Sequence, residues 1–402
     1  MTHPRGDGLE IRIAAAGDLP EFASLREQGY AIPAGRREQW AEQMLTSGRA
    51  ERLLGAYRDG HLVGMLNVLA FQQWFGARPV PMGGVASVVV APEQRGLGIA
   101  PRLLARSLEL MAERGEVIST LGPATSWVYR KCGWEHGGLY GVANVRTADL
   151  VALAEGASRE RRAVAADREG IVAAYDRAAP GRPGFLARPS WRWDERLIDG
   201  PHRYVYVVER DGRIDGYVAY SQTAAVRGYT VWVDDLVAAD GETERTLWRH
   251  LGAHAAQADR VTVAGVPLDA LALMLPEQTI RPVGQQVWMT RIVDAPGAVA
   301  RRGYPSGVRA AVEFRLVDPM VAANDGCWRL VVESGEGRLE RVASSEDPDV
   351  EITINGFASL FTGWSTSAVL VGAGAATGIS PGVAGDLDAI FSGRVPTMCD
   401  DF

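Results

Sequence analysis

Residues 85–100, VASVVVAPEQRGLGIA, constrain this chain more than any other stretch. Val85–Val90 is β-branched and almost wholly apolar, the pattern of a strand buried on both faces. Pro92 stops it, because proline cannot donate to a ladder. A turn with Gln94, Arg95, Gly96 and Gly98 follows. Ile99 then opens a helix whose apolar positions Leu103, Leu104, Leu108 and Met111 recur at helical spacing. Strand, glycine turn and helix start together expose backbone N–H groups at the positive end of a helix dipole, which suits a pyrophosphate. Gly96 and Gly98 let backbone approach the ligand, and Arg95 adds fixed charge.

The turn is neither a P-loop nor a three-glycine dinucleotide fingerprint. It resembles the acetyl-coenzyme A signature of the GNAT N-acetyltransferases, Q/R-x-x-G-x-G/A, through Gln94, Arg95, Gly98 and Ala100. The resemblance implies cofactor contacts from Val88, Val89, Val90, Arg95, Gly96, Gly98, Ile99 and Ala100, with acetyl-CoA as co-substrate and no metal.

The order of elements around the turn agrees. A strand at Glu10–Ala14 is expected first, then a helix capped by Asp18 with Pro20 in its first turn, then a helix from Glu38 to Leu45. Asp59 and Gly60 supply the positive φ of a tight hairpin turn between strands at 52–57 and 62–67. After the key helix come a fifth strand, Glu116–Leu121, and a short helix from Trp127 to Gly133 that carries Tyr129. This is the strand and helix order of a GNAT fold, in which a Tyr-x-x-x-Gly-aromatic tail follows the fifth strand. Here the tail reads Tyr129, Gly133, Trp134.

Residues 150–174 are rich in Ala, Arg and Glu and read as a solvated helical connection. The chain then repeats itself: strands at 204–209 and 214–220 flank a second Asp-Gly turn (Asp211, Gly212), and Thr230–Val237 echoes the key strand. Glu242 and Glu244 stand in the second loop where the first has glycines. Carboxylates there repel phosphate, so the second copy is expected to be catalytically silent. From about Ala295 short alternating segments separated by turns suggest an antiparallel sheet, with helices at 357–363 and 385–392, an order similar to the sterol carrier protein fold.

The expected fold class is therefore α/β (α+β), with a catalytic GNAT domain at 1–150, a degenerate one at 151–294 and a sterol-carrier-like domain at 295–402. This combination resembles the Eis (enhanced intracellular survival) family. The resemblance implies a homohexamer and acetylation of primary amines on cationic small molecules of the aminoglycoside type, with antibiotic resistance as the consequence. Protein-lysine acetylation, or lipid carriage with a regulatory GNAT half, are the alternatives. It also implies Tyr129 as general acid and the carboxylate of Phe402 as base or orienter, with Asp400 and Asp401 adding negative potential to an acidic pocket. A phenol is a fit acid for a departing thiolate because the two ordinarily ionise in neighbouring ranges. Backbone N–H at Val88–Val90, Val90 above all, would polarise the thioester carbonyl. Glu27 and Trp40 are substrate candidates, as is Ser87, which stands where the family often has phenylalanine.

Composition sets the remaining bounds. The 47% hydrophobic and 23% charged residues are those of a globular protein, and the formal charge of −7 argues against nucleic acid and suits a cationic substrate. No run approaches 18 apolar residues and Met1 begins no signal-peptide pattern, so a cytoplasmic chain without a membrane span is expected. Cys132, Cys327 and Cys399 are too scattered for a disulfide framework or metal motif. Of the six histidines (His3, His61, His136, His202, His250, His254) only His250 and His254 share a helix face. With no third ligand, they are expected at the surface.

Overall fold

The computed structural model describes residues 8–32, 36–153, 159–194, 203–342 and 349–402. The first half contributes β1 (Leu9–Ile13), β2 (Leu53–Arg58), β3 (His61–Phe75), β4 (Arg78–Val90), β5 (Ile118–Leu121) and β6 (Glu135–Arg146). The second contributes β7 (Glu160–Arg162), β8 (Leu186–Ala187), β9 (Arg203–Arg210), β10 (Arg213–Ala224), β11 (Tyr229–Ala238), β12 (Arg260–Ala264) and β13 (Arg281–Ile292). All join one 13-stranded sheet in the order β1-β2-β3-β4-β5-β13-β6-β12-β11-β10-β9-β7, with β8 paired to β3.

The duplication is visible in detail. Asp59 and Gly60 turn β2 into β3 with φ of 50° and 79°, and Asp211 and Gly212 turn β9 into β10 with 52° and 74°. Asp18 takes a hydrogen bond from the Ala15 amide and an ion pair from Arg12. Asp167 does the same with Val164 and Arg161. Each motif fixes the entry of the helix that follows, Leu19–Tyr30 or Arg168–Ala178.

The halves are not merely adjacent. β13, the last strand of the second half, lies between β5 and β6, whereas β6, the last of the first half, pairs with β12. Each half therefore completes its sheet with the other's final strand, and the sheet has no free edge at the junction.

The stretch expected as one helical connection (150–174) instead holds the end of a short helix (Thr147–Val151), then β7 and the start of the helix Arg168–Ala178. Residues 154–158 of that stretch lie outside the described residues.

The C-terminal part forms a five-stranded sheet from β14 (Ala310–Val317), β15 (Gly326–Glu333), β16 (Glu336–Arg341), β17 (Glu351–Thr353) and β18 (Ala376–Thr377), ordered β16-β15-β14-β17-β18. Its core is continuous with the large sheet: Phe75 of β3 meets Phe361 edge-on, with ring centroids 5.5 Å apart. Among the described residues no helix is long and apolar enough to cross a membrane.

Candidate active site

β4 is the element on which the site is built. Met65 pairs with Val89 and Asn67 with Ala86, so Ser87 and Val88 together oppose Leu66 in a β-bulge. Ser87 takes the left-handed conformation there (φ 52°). A bulge bends its strand and strengthens the twist. β4 accordingly pairs with β5 only from Met82–Ile118 to Gly84–Thr120 and diverges beyond. The expectation that Val85–Val90 is buried on both faces is corrected. Val85 and Val89 are buried, but Ala86, Ser87, Val88 and Val90 are half-buried because the neighbouring strand has left.

The glycine turn lies at the end of β4. Gly96 and Gly98 have φ of 81° and 75°, and a side chain on either would meet nothing within 4 Å. The turn is therefore an open cradle rather than a packed corner. Gly98 caps the helix Ile99–Glu113 with no side-chain hydrogen bond and no acid in the first turn, which leaves the first N–H groups available to an anion. Arg95 is exposed, donates from Nε to the Val90 carbonyl at 3.2 Å, and so holds the turn against the strand. Ile99 is buried and Ala100 half-buried on the helix start.

Tyr129, on the helix Ser126–Lys131 after β5, is buried in the cluster that Val88 and Val90 also touch. Burial first, and then the nearby Tyr30 phenol, push its pKa up to about 12. The phenol therefore holds its proton throughout the neutral range. Tyr30, half-exposed at the end of the helix Leu19–Tyr30, reaches the backbone of Val88 with its hydroxyl. Sequence reasoning passed it over, because a lone tyrosine near a helix end carries no pattern.

The sequence candidates Glu27 and Trp40 come together in a narrow cleft between the first two helices. Glu27 is paired with Arg37, and the same cleft holds Arg26 and Arg36. Arg26 donates to Ser87 Oγ at 3.3 Å and stands over the Trp40 ring. This wall is rich in arginine, not acidic as the resemblance implied.

The last residues run back onto the large sheet. Leu139 of β6 exchanges backbone hydrogen bonds with residues 396–398, the start of a terminal strap (Leu139 N–H to Pro396 O, 2.9 Å; Met398 N–H to Leu139 O, 3.0 Å). The Phe402 ring lies 5.1 Å from Phe71 and covers Gly84, the last β4 residue paired with β5, where a methyl group would come within 2.8 Å of it. Tyr129 with Val88 and Val90, and Phe402 with Phe71 and Gly84, thus form two groups next to the point where β4 leaves β5. Asp401 has an 81% exposed side chain, but Asp400 is wholly buried between Arg188 and Arg192. Asp400 is an anchor and adds no free negative potential.

His250 and His254 are not at the surface. Both are half-buried: His250 bonds Glu160 at 3.2 Å, His254 bonds the Tyr229 hydroxyl at 2.8 Å, and the Tyr220 hydroxyl lies within 3.3 Å of both rings. Burial depresses both pKa values, and in His254 the neighbouring His250 lowers it further. His202 lies outside the described residues.

A splayed strand, an uncapped helix start behind it and a buried phenol opposite are the parts of an acyl-CoA transferase site. Acetyltransferase (GNAT) domain families match residues 10–137 and 184–292, and the sterol carrier protein domain matches 295–399. The solved GCN5-related N-acetyltransferase of Kribbella flavida is 32% identical, with a TM-score of 0.87 over 98% of both chains. That of Anabaena variabilis is 28% identical, with a TM-score of 0.91 over 98% of this chain and 100% of that one. The N-acetyltransferase Eis of Mycobacterium tuberculosis is 25% identical, covering 89% of this chain and 90% of its own. The chain belongs to the GCN5-related N-acetyltransferases, in their Eis-like branch.

Proposed function

We propose that this enzyme transfers acetyl directly from acetyl-CoA to a primary amine, with Tyr129 as general acid and the carboxylate of Phe402 as base or orienter. The departure of β4 from β5 beside an uncapped helix start is the observation that carries this reading. A pantetheine arm is an extended chain, and the gap between the strands suits one. The pyrophosphate would lie on the amides of Gly96, Gly98, Ile99 and Ala100, near Arg95. Backbone N–H at Val88–Val90 would polarise the thioester carbonyl.

The amine nitrogen attacks that carbonyl carbon. A C–N bond forms, the C–S bond breaks, the amine proton passes to the Phe402 carboxylate directly or through water, and the Tyr129 proton goes to the departing sulfur. Burial keeps the Tyr129 phenol protonated at neutral pH, as a donor must be, while moving it above the thiol range and so weakening it as an acid. For the acceptor we propose a small cationic amine of the aminoglycoside or polyamine type. Asp401, adjacent to Phe402, pairs with Arg192 at 3.4 Å and keeps an 81% exposed side chain, and the arginines around Glu27 and Trp40 disfavour a cation on that wall.

Thiol release from acetyl-CoA, measured against aminoglycosides, polyamines and lysine peptides, tests this. Turnover with a small amine that collapses in Tyr129→Phe and in a chain extended past Phe402 is expected. Turnover on lysine peptides alone would overturn the acceptor class, and full activity of Tyr129→Phe would overturn the acid.

A further inference from the structure

A buried charge network in the second half takes no part in the chemistry above, and its purpose is legible from what it grips. Arg188 follows β8 and has a side chain wholly removed from solvent. Its Nε donates to both Asp400 oxygens, at 3.0 and 3.1 Å, and its Nη1 donates to Asp235 of β11 at 2.5 Å. Tyr217 of β10 donates its hydroxyl to the same Asp235 at 2.7 Å. Arg192, on the short helix Ser190–Trp193, gives a second cation to Asp400 at 3.2 Å and also reaches the backbone carbonyl of Asp401. Burial by itself disfavours the Arg188 charge, but Asp235 and Asp400 outweigh it and keep the group protonated. Two buried guanidinium groups thus face two buried carboxylates, one from the second half and one from the end of the chain.

The groove under the strap is shaped for it as well. A methyl group on Gly138 would lie 2.6 Å from the Pro396 carbonyl oxygen, one on Gly184 2.5 Å from that of Thr397, and one on Gly265 2.5 Å from Cys399 Cα. Thr397 N–H donates to the Pro183 carbonyl at 2.9 Å. Gly184, Gly265 and Pro183 all belong to the second half. Chain ends ordinarily fray unless tied down. Here the tie reaches the Asp401 carbonyl, next to Phe402, whose ring is held by Phe71.

We propose that the second half, whose own cradle is lost, acts as an arginine clamp: Arg188 and Arg192, backed by Asp235 and Tyr217, fix residues 396–401 so that Phe402 presents its carboxylate to the acceptor amine, with Arg192 the positioning residue nearest the chemistry. This rests on the reading of Phe402 given above. A carboxylate on a free tail would act at low effective concentration, whereas one held by the clamp is aligned before the amine arrives. Arginine is needed at position 192 because its fork serves Asp400 and the Asp401 carbonyl together, which a lysine ammonium on a flexible stem does not.

The test is a two-by-two comparison of kcat and KM on the full-length protein: native, Arg192→Gln, a chain extended past Phe402, and the two changes together, with melting temperatures alongside. Arg192→Gln is expected to lower kcat about tenfold or more while leaving KM for acetyl-CoA unchanged. The extension is expected to lower kcat at least as much, and the combination no further, because both act through one carboxylate. Arg192→Lys keeps the charge and the melting temperature and still loses several-fold in kcat. That variant carries the test if Arg192→Gln melts early.

An extension that inactivates while both Arg192 variants keep native kcat would overturn the clamp and leave the Phe402 reading standing. Losses that add in the double variant would also overturn it, since they would mark a merely structural arginine. A harmless extension would overturn the Phe402 reading and the clamp together.

Discussion

Two helices occupy equivalent places in the two halves and meet opposite ends. The helix Ile99–Glu113 begins on Gly98, with no capping side chain and no acid in its first turn. The helix Gly241–Gly252 begins on Asp240, whose carboxylate accepts the Thr243 amide at 2.8 Å, with Glu242 and Glu244 in the first turn. Even the neighbouring arginine is conserved in place but not in use: Arg58 at the end of β2 bonds Gln94, whereas Arg210 at the end of β9 pairs with Asp240. A helix start can stabilise an external anion or be satisfied by its own acid, but not both. The helix Asp269–Met274, in the place of the Tyr129 helix, has no tyrosine. One half therefore leaves its helix start open at some cost in stability, and the other has closed its own.

The sharpest break between the halves is expected at Tyr129. Tyr129→Phe should lower kcat by about 10²–10⁴-fold, the usual worth of a positioned proton donor, with acetyl-CoA binding retained. Steady-state kinetics and binding titration check the two parts. Next comes a swap of cap chemistry. Gly98→Asp should give the first helix its own cap and weaken acetyl-CoA binding about tenfold or more, since an acid would stand where phosphate must approach and a non-glycine residue would take positive φ.

The reciprocal change is smaller. Asp240→Ala should cost about 1 kcal/mol in denaturant unfolding through the lost cap, with kcat/KM unchanged. A matching loss of activity would show that the second half takes part in catalysis through that helix.

The pH dependence of Tyr129 gives the smallest effect. Its folded pKa is raised by burial, so the neutral phenol contributes stability that is fully present below about pH 10 and lost as pH rises through about 12. No alkaline limb in kcat below about pH 10 should trace to this group. One that disappears in Tyr129→Phe would contradict the environment described.

Much of this was legible beforehand, and the reasons differ by feature. The cradle could be read because glycine, proline and β-branched residues each restrict the backbone in their own way, and residues 85–100 place all three in order. The repeat could be read from two Asp-Gly turns between similar strands. The exchange of β6 and β13 could not, since element order is the same whether a final strand completes its own sheet or its neighbour's. The bulge at Ser87 was hidden because serine has no preference for positive φ. Arg188 and Arg192 look like any pair in an arginine-rich chain. The returning Asp400, more than 200 residues later in the sequence, joins the two into one network. The setting of His250 and His254 is hidden for the same reason: their tyrosine and glutamate partners come from other strands.

The contrast between an open and a self-capped helix start is tested most directly by calorimetric titration with acetyl-CoA, counting sites per chain. One site is expected, weakened by Gly98→Asp and indifferent to Asp240→Ala. Two sites per chain, or a single one that survives Gly98→Asp and vanishes with Asp240→Ala, would contradict it.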